Sequence, residues 1–180
     1  MDLAAMLIQS RGYSAFSYQD IAQALGIRKA SIHYHFPAKA DLGLAVVERY
    51  ASGFEAALQA IARDETRSSM AMFELYLQPF HGLAATPDMV CLCGALAGEI
   101  MVLPHVLRRR VDMFFRQHHD WLAGILERGV ARGEWKLDGQ PVQMARMIFG
   151  ALQGALIVKR TTGEAAQLDD VVAMVKARLN

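Results

Sequence analysis

Cysteine is scarce in this chain: Cys91 and Cys93 are the only two among 180 residues. Two thiols two positions apart cannot build the disulfide framework of a small secreted domain. Long apolar runs are also missing. The longest, around Gly94–Leu103, is interrupted by Glu99, and none reaches the ~18 residues that cross a bilayer. No basic stretch followed by an apolar one opens the chain, so a cytoplasmic location is expected. Sustained apolar/polar alternation, Asn-Gly hairpin turns, internal repeats and low-complexity segments are all absent, which excludes a β architecture and a repeat array. There is no phosphate-binding glycine loop, no nucleophile elbow and no His-Glu-x-x-His motif, so no catalytic set can be assembled and no enzyme is expected. His33-Tyr34-His35 and His118-His119-Asp120 lack a partner set for a metal, and His118 and His119 diverge by ~100° on a helix. No cofactor is implied. Net charge is small too, at +1, so nucleic-acid binding would have to rest on a local basic patch.

Apolar residues make up 53% of the chain, ample for a packed core, and their spacing is helical throughout. Leu3–Arg11 reads as a first helix ended by Gly12, with Leu3, Met6, Leu7 and Phe16 packing beneath a hairpin of two short helices. Lys39 to about Ala62 is a long helix with Leu42, Val46, Tyr50, Phe54, Leu58 and Ile61 on one stripe. Ser68–Ala84 is the next, bent or ended near Pro79. Thr86-Pro87-Asp88 reads as the start of a helix running to about Val102. Pro104 begins a helix to about Arg132, Pro141 another to about Arg160, and Leu168–Leu179 forms the last.

Ser17–Lys39 carries the most information. Ser17 is placed to cap a helix whose apolar positions are Ile21, Ala22 and Leu25. Asp20, three residues on, suits a capping box and the positive helix end. Gly26 comes next, where a left-handed residue ends a helix without a Cβ penalty. Ile27 is expected to plug the space between two helices. Arg28, Lys29, Ala30 and Ser31 open the second one, Ile32 and Phe36 form its buried side, and Pro37 stops it. Two short helices joined by a glycine turn, the second rich in basic and hydrogen-bonding side chains, make a helix-turn-helix that enters a DNA major groove. The plainer alternative is a helical hairpin with a solvated polar face.

Gly12-Tyr13, Ser17, Asp20-Ile21-Ala22, Gly26-Ile27, Lys29, Ser31, Tyr34-His35-Phe36 and Lys39 together resemble the TetR family of bacterial transcriptional regulators. Beyond this head the likeness extends only to helix number, length and order. The resemblance implies an all-α, nine-helix homodimer that binds a palindromic operator, usually as a repressor released by a small molecule. The expected division is a three-helix DNA-binding head over residues 1–46 and a ligand-binding and dimerisation body over 47–180. Relatives commonly carry an N-terminal arm, whereas this sequence starts almost inside the first helix.

Roles within the head can be assigned from chemistry and position. Arg28 and Lys29, at the deepest-reaching end of the second helix, can donate to guanine O6 and N7. Ala30 can touch a thymine methyl, and His33, one turn on, can read a base or bind a phosphate. Ser17, Ser31, Tyr34, His35 and Lys39 suit phosphate clamps, with Tyr34 and His35 also open to packing roles.

The body offers three further expectations. Gly150 and Gly154, with Ala151 and Ala155 beside them, would let helices of two chains approach closely. Leu107, Val111, Phe115, Leu122 and Ile125 form an apolar stripe expected to join them in a dimeric four-helix bundle, unless these positions are internal core. Phe73, Tyr76, Phe80, His81, Cys91, Met101, His118 and Trp121 are candidate pocket residues for an apolar or aromatic small molecule, each also readable as core. Cys91 and Cys93 are candidate sensors of electrophiles or oxidants if a helix start near Pro87 lowers a thiol pKa. The alternative is two buried, inert thiols, and their ~200° divergence on a helix disfavours a disulfide between them. A different class, a helical module that binds other proteins, also stays open.

Overall fold

The computed structural model describes residues 1–179, which form helices and no strand. The helices are α1 (Asp2–Arg11), α2 (Tyr18–Leu25), α3 (Lys29–His35), α4 (Lys39–Arg63), α5 (Ser69–Ala85), α6 (Leu92–Gly98), α7 (His105–Ala131), α8 (Pro141–Thr162) and α9 (Ala166–Leu179). The all-α class and nine-helix order expected from the sequence are thus present among the described residues.

The chain divides into two compact units. The first joins Met1–Gly53 to Cys91–Phe114, and the second joins Phe54–Val90 to the chain from Phe115 onward. The division falls inside α4 and α7. The helix-turn-helix head therefore shares a unit with α6 and the start of α7, a grouping that a boundary at residue 46 does not convey.

In the first unit, Leu7, Ile8, Phe16, Ile21, Leu42, Val46 and Val47 are buried, as the helical spacing requires. Three expected core positions are not. Leu25 is 54% exposed, Ile27 44% and Met6 46%. The eight-residue α2 and seven-residue α3 are too short to cover a continuous apolar face. Leu25 and Ile27 instead edge a shallow cleft of about 260 Å³ floored by Ile21, Ile32 and Leu42.

The largest departure from sequence expectation lies before α6. Thr86-Pro87-Asp88 makes a turn, with Asp88 at φ 58, and helix begins only at Leu92. Proline fixes its own φ but does not compel the next residue to continue a helix. With Asp88 in the left-handed region no helix continues from Pro87, and α6 spans the seven residues Leu92–Gly98. Pro79, by contrast, does not end its helix: α5 runs through it to Ala85. The proline deprives the Leu75 carbonyl of its usual helical donor, yet the rest of the helix continues past it.

In the second unit, α8 packs on α9 and on α5. The stripe on α7 that was expected to face another chain is covered within its own. Leu107, Val111, Leu122 and Ile125 are all buried, and the Phe115 ring meets Phe149 edge-on at 5.4 Å. A stripe too wide for a lone surface helix marks a core helix here. On α8, Ala155 is buried while Gly150 is open, and a Cβ added at Gly150 or Gly154 would meet nothing within 4 Å.

Candidate nucleic-acid interface

The head is built by local rules. Ser17 takes an extended backbone (φ −132, ψ 170), and its hydroxyl accepts from Gln19 N–H at 3.2 Å. Asp20 Oδ2 in turn accepts from Ser17 N–H at 2.6 Å and from the Ser17 hydroxyl at 2.8 Å. These hydrogen bonds hold the Asp20 carboxyl below its ordinary pKa, so it stays charged at the positive end of α2. Gly26 ends the helix in the left-handed region at φ 65, ψ 29. Each feature matches the sequence reading.

From there α3 projects its side chains outward. Arg28 is the N-cap residue, and its side chain makes no capping hydrogen bond. Arg28, Lys29, Ala30 and Ser31 are exposed, as are His33, Tyr34 and His35, with Tyr34 84% exposed. Ile32 alone in α3 is buried. The predicted readers thus share one short helix whose polar groups face solvent. His33 is the most constrained of them: its ring lies edge-on to Tyr18 at 4.6 Å, with Nδ1 3.3 Å from Pro37 O. Tyr34 and His35 meet edge-on at 5.1 Å. Ser17 is exposed, but its hydroxyl is already engaged by the capping box.

Lys39 stands differently from the clamp role expected of it. Its ammonium donates to Phe16 O and sits 4.6 Å and 4.4 Å from the ring centroids of Tyr13 and Phe16. Burial lowers its pKa, with the Glu99 charge acting the other way. The side chain therefore points into the fold and ties the start of α4 to the α1–α2 turn.

Two residues missed by the sequence reading complete this arrangement. The Tyr18 hydroxyl lies 2.8 Å from Phe36 O and 2.7 Å from Ala38 O, where it joins α2 to the end of α3. Glu99, the C-cap residue of α6, accepts from Tyr13 N–H through Oε1 (2.6 Å) and from Ser14 N–H through Oε2 (2.9 Å). Burial opposes its charge, but the hydrogen bonds from Ser14 and Tyr13 and the Lys39 charge win, and its pKa falls below the ordinary value. The visible sequence signal was Gly12: at φ 93, ψ 164 it adopts a conformation nearly restricted to glycine, and a Cβ there would overlap Glu99 Oε1.

The candidate pocket residues fall in both units. Phe73, Tyr76, Phe80, His118 and Trp121 gather in the second unit, where Tyr76 stacks on Trp121 at 5.2 Å. The Tyr76 hydroxyl lies 2.9 Å from His118 Nδ1, and burial pushes His118 down to about 3, so the imidazole is neutral. His81 is half-buried, 3.6 Å from Asp169. Cys91 and Met101 belong to the first unit, Met101 being 79% exposed in the turn after α6.

Both cysteines lie at or just inside the start of α6. Cys91 is the N-cap residue of α6 rather than part of a helix begun at Pro87, and both thiols are buried. The Tyr50 hydroxyl approaches Cys91 Sγ at 3.7 Å. Burial, then the neighbouring Cys91, pushes the Cys93 thiol well above its ordinary pKa. Iodoacetamide should accordingly label Cys93 far more slowly in the folded protein than in urea; equal rates would contradict the burial.

Comparison with known proteins agrees with this architecture. Residues 1–46 match the family described as bacterial regulatory proteins, tetR family, and residues 64–175 match the tetracyclin repressor-like C-terminal domain. A TetR-family transcriptional regulator from Agrobacterium tumefaciens superposes with a TM-score of 0.93 at 34% identity, covering 99% of this chain and 95% of that one. The transcriptional regulator AcuR of Cereibacter sphaeroides is 26% identical across 83% of this chain and 69% of its own length. The HTH-type transcriptional repressor NemR of Escherichia coli is 22% identical across 94% of this chain and 86% of its own. With a capped helix-turn-helix in front and a matching helical body behind it, the chain belongs to the TetR family of bacterial transcriptional regulators.

Proposed function

We propose that this regulator is a repressor that binds a two-fold symmetric operator as a homodimer and is released by a small molecule. The observation that carries the reading is the open face of α3, where Arg28, Lys29, Ala30, His33 and Tyr34 meet solvent around a single buried residue, Ile32. Arg28 and Lys29 read base edges or hold the groove rim, Ala30 allows close approach, and Ser31, Tyr34 and His35 supply donors to phosphates. Lys39 acts by holding the head together. NemR, a relative, is a repressor by name.

Dimerisation is supported by α8 and α9. In the most apolar window of α8, mean hydropathy is 1.3 but only 39% of the residues are buried within the chain. Met147 and Ala151 of α8 line a cleft of about 270 Å³ with Val171 and Met174 of α9, and Met174 is 66% exposed. A second copy would cover this face and place two heads about 34 Å or more apart, to match a palindrome. For the effector, the aromatic group around Tyr76 and neutral His118 suits an uncharged, aromatic or acyl molecule. It can release DNA only by binding the released form more tightly, and tenfold release needs ~1.4 kcal/mol of coupling.

Salt dependence tests the reading. A dimer that neutralises roughly four phosphates should lose about 100-fold in affinity for a selected duplex between 50 and 200 mM salt. A flat profile, or equal affinity for every sequence, would instead favour a helical protein-interaction module. Sedimentation at micromolar concentration should show a dimer, and a monomer would remove the symmetric-operator model.

A further inference from the structure

We propose that Glu99 is a positioning residue for DNA recognition: its carboxylate holds the α1–α2 turn on which the placement of the reading head depends. The inference rests on the DNA-binding reading above and concerns a residue that does not itself lie on the interface. Three observations within the first unit converge on it. Both carboxylate oxygens are used, one on Tyr13 N–H and one on Ser14 N–H, a two-point grip that fixes orientation as well as distance. Gly12 leaves room for that grip, since a side chain there would overlap the carboxylate oxygen. The gripped turn is also held by Lys39, whose ammonium donates to Phe16 O and lies over the Tyr13 and Phe16 rings.

The consequence runs along the chain. Phe16 immediately precedes Ser17, the residue that caps α2, so the turn sets where α2 begins. Tyr18, first in α2, fastens the end of α3 through Phe36 O and Ala38 O. Glu99 is thus joined to the end of α3 by one turn and one tyrosine. The α6 helix that carries Glu99 packs on α1, so the grip has a fixed base. Removing the Glu99 grip should loosen α2 and α3 together while leaving the base-contacting side chains chemically intact.

The test uses the full chain and a duplex selected by the unmutated protein from a random-sequence library. Glu99→Ala should bind that duplex at least tenfold more weakly, and Glu99→Gln, which keeps one acceptor, should fall between. Glu134→Ala provides the control: Glu134 accepts from Ser69 N–H at 2.5 Å, the same kind of bond within the second unit. It should leave duplex affinity unchanged. Amide hydrogen exchange should quicken in Glu99→Ala at Tyr13 and Ser14 and also through α2 and α3. Gly12→Ala should mimic Glu99→Ala, and the two losses in duplex affinity should be less than additive when combined. Equal weakening by Glu99→Ala and Glu134→Ala would overturn the proposal, as would faster exchange confined to Tyr13 and Ser14 with unchanged affinity. Should the unmutated protein select no duplex, the DNA-binding reading fails. The exchange pattern then decides the Glu99 proposal alone: spread into α2 and α3 sustains it, confinement overturns it. If Glu99→Ala does not fold, the near-isosteric Glu99→Gln carries the same comparisons.

Discussion

Gly129→Ala is expected to destabilise the protein by about 2–3 kcal/mol, although alanine is the better helix former by ~1 kcal/mol. Gly129 lies in α7, where propensity alone favours the substitution. Against it stands the buried indole of Trp135. A Cβ at position 129 would overlap Trp135 Cε3 and lie 2.8 Å from Cδ2 and 3.0 Å from Cζ3. Those are atoms of a rigid ring, so relief requires moving a whole indole. Its backbone N–H is also held by Gly129 O at 3.3 Å. Complete displacement of a buried tryptophan costs roughly 3–5 kcal/mol, and partial repacking about 1–3. Gly124→Ala, in the same helix, is the matched contrast. It is exposed and its added Cβ meets nothing within 4 Å, so only the propensity gain of up to ~1 kcal/mol remains. In a chain of this size the melting temperature should fall by about 4–10 °C for the first and rise by about 2–4 °C for the second. Shifts of the same sign would contradict the close packing of Trp135 on α7.

These two glycines show where sequence reading stops. Both sit in a helical pattern, and nothing local distinguishes the one under Trp135 from the one facing water. The head was legible because its determinants are local: Ser17 and Asp20 are three residues apart, and Gly26 must end α2 by its own backbone preference. The outward row on α3 comes from one buried residue in a seven-residue helix. Glu99 was illegible as a partner of Tyr13 and Ser14 because 86 and 85 residues separate them. Lys39 was misleading for the same reason: a cation near a recognition helix reads as a phosphate clamp until the Tyr13 and Phe16 rings are seen around it. The α7 stripe had the periodicity of an interface, yet periodicity does not reveal whether the covering surface comes from the same chain. Pro87 before Asp88 reads equally as a helix start or a turn, and the left-handed Asp88 decides for the turn.

Arg28→Ala and Lys29→Ala should weaken operator binding by different routes, and the difference is measurable. Arg28 precedes the first turn of α3 with an extended backbone (φ −75, ψ 137) and no capping bond from its side chain, so its removal should leave the helix intact. Its planar fork matches guanine O6 and N7, a contact worth ~1–3 kcal/mol of discrimination per head. Two heads double this to about 2–6 kcal/mol, roughly a 30-fold to 10⁴-fold loss on the selected duplex. The loss should be far smaller on a scrambled duplex of equal length, because a base contact is worth little where the base is wrong. Lys29 begins α3 as an exposed point charge. Without it, selected and scrambled duplexes should weaken together, and the slope of log affinity against log salt should shrink by about 2 for the dimer. A phosphate contact carries charge but no sequence, so its signature is in the salt slope and not in the ratio between duplexes. An Arg28→Ala protein that keeps its full preference for the selected duplex would show that the sequence is read elsewhere on α3, with His33 and Ala30 next in line. Unchanged salt dependence in Lys29→Ala would remove Lys29 from the phosphate contacts and leave the neutral donors Ser31 and Tyr34 to position the helix.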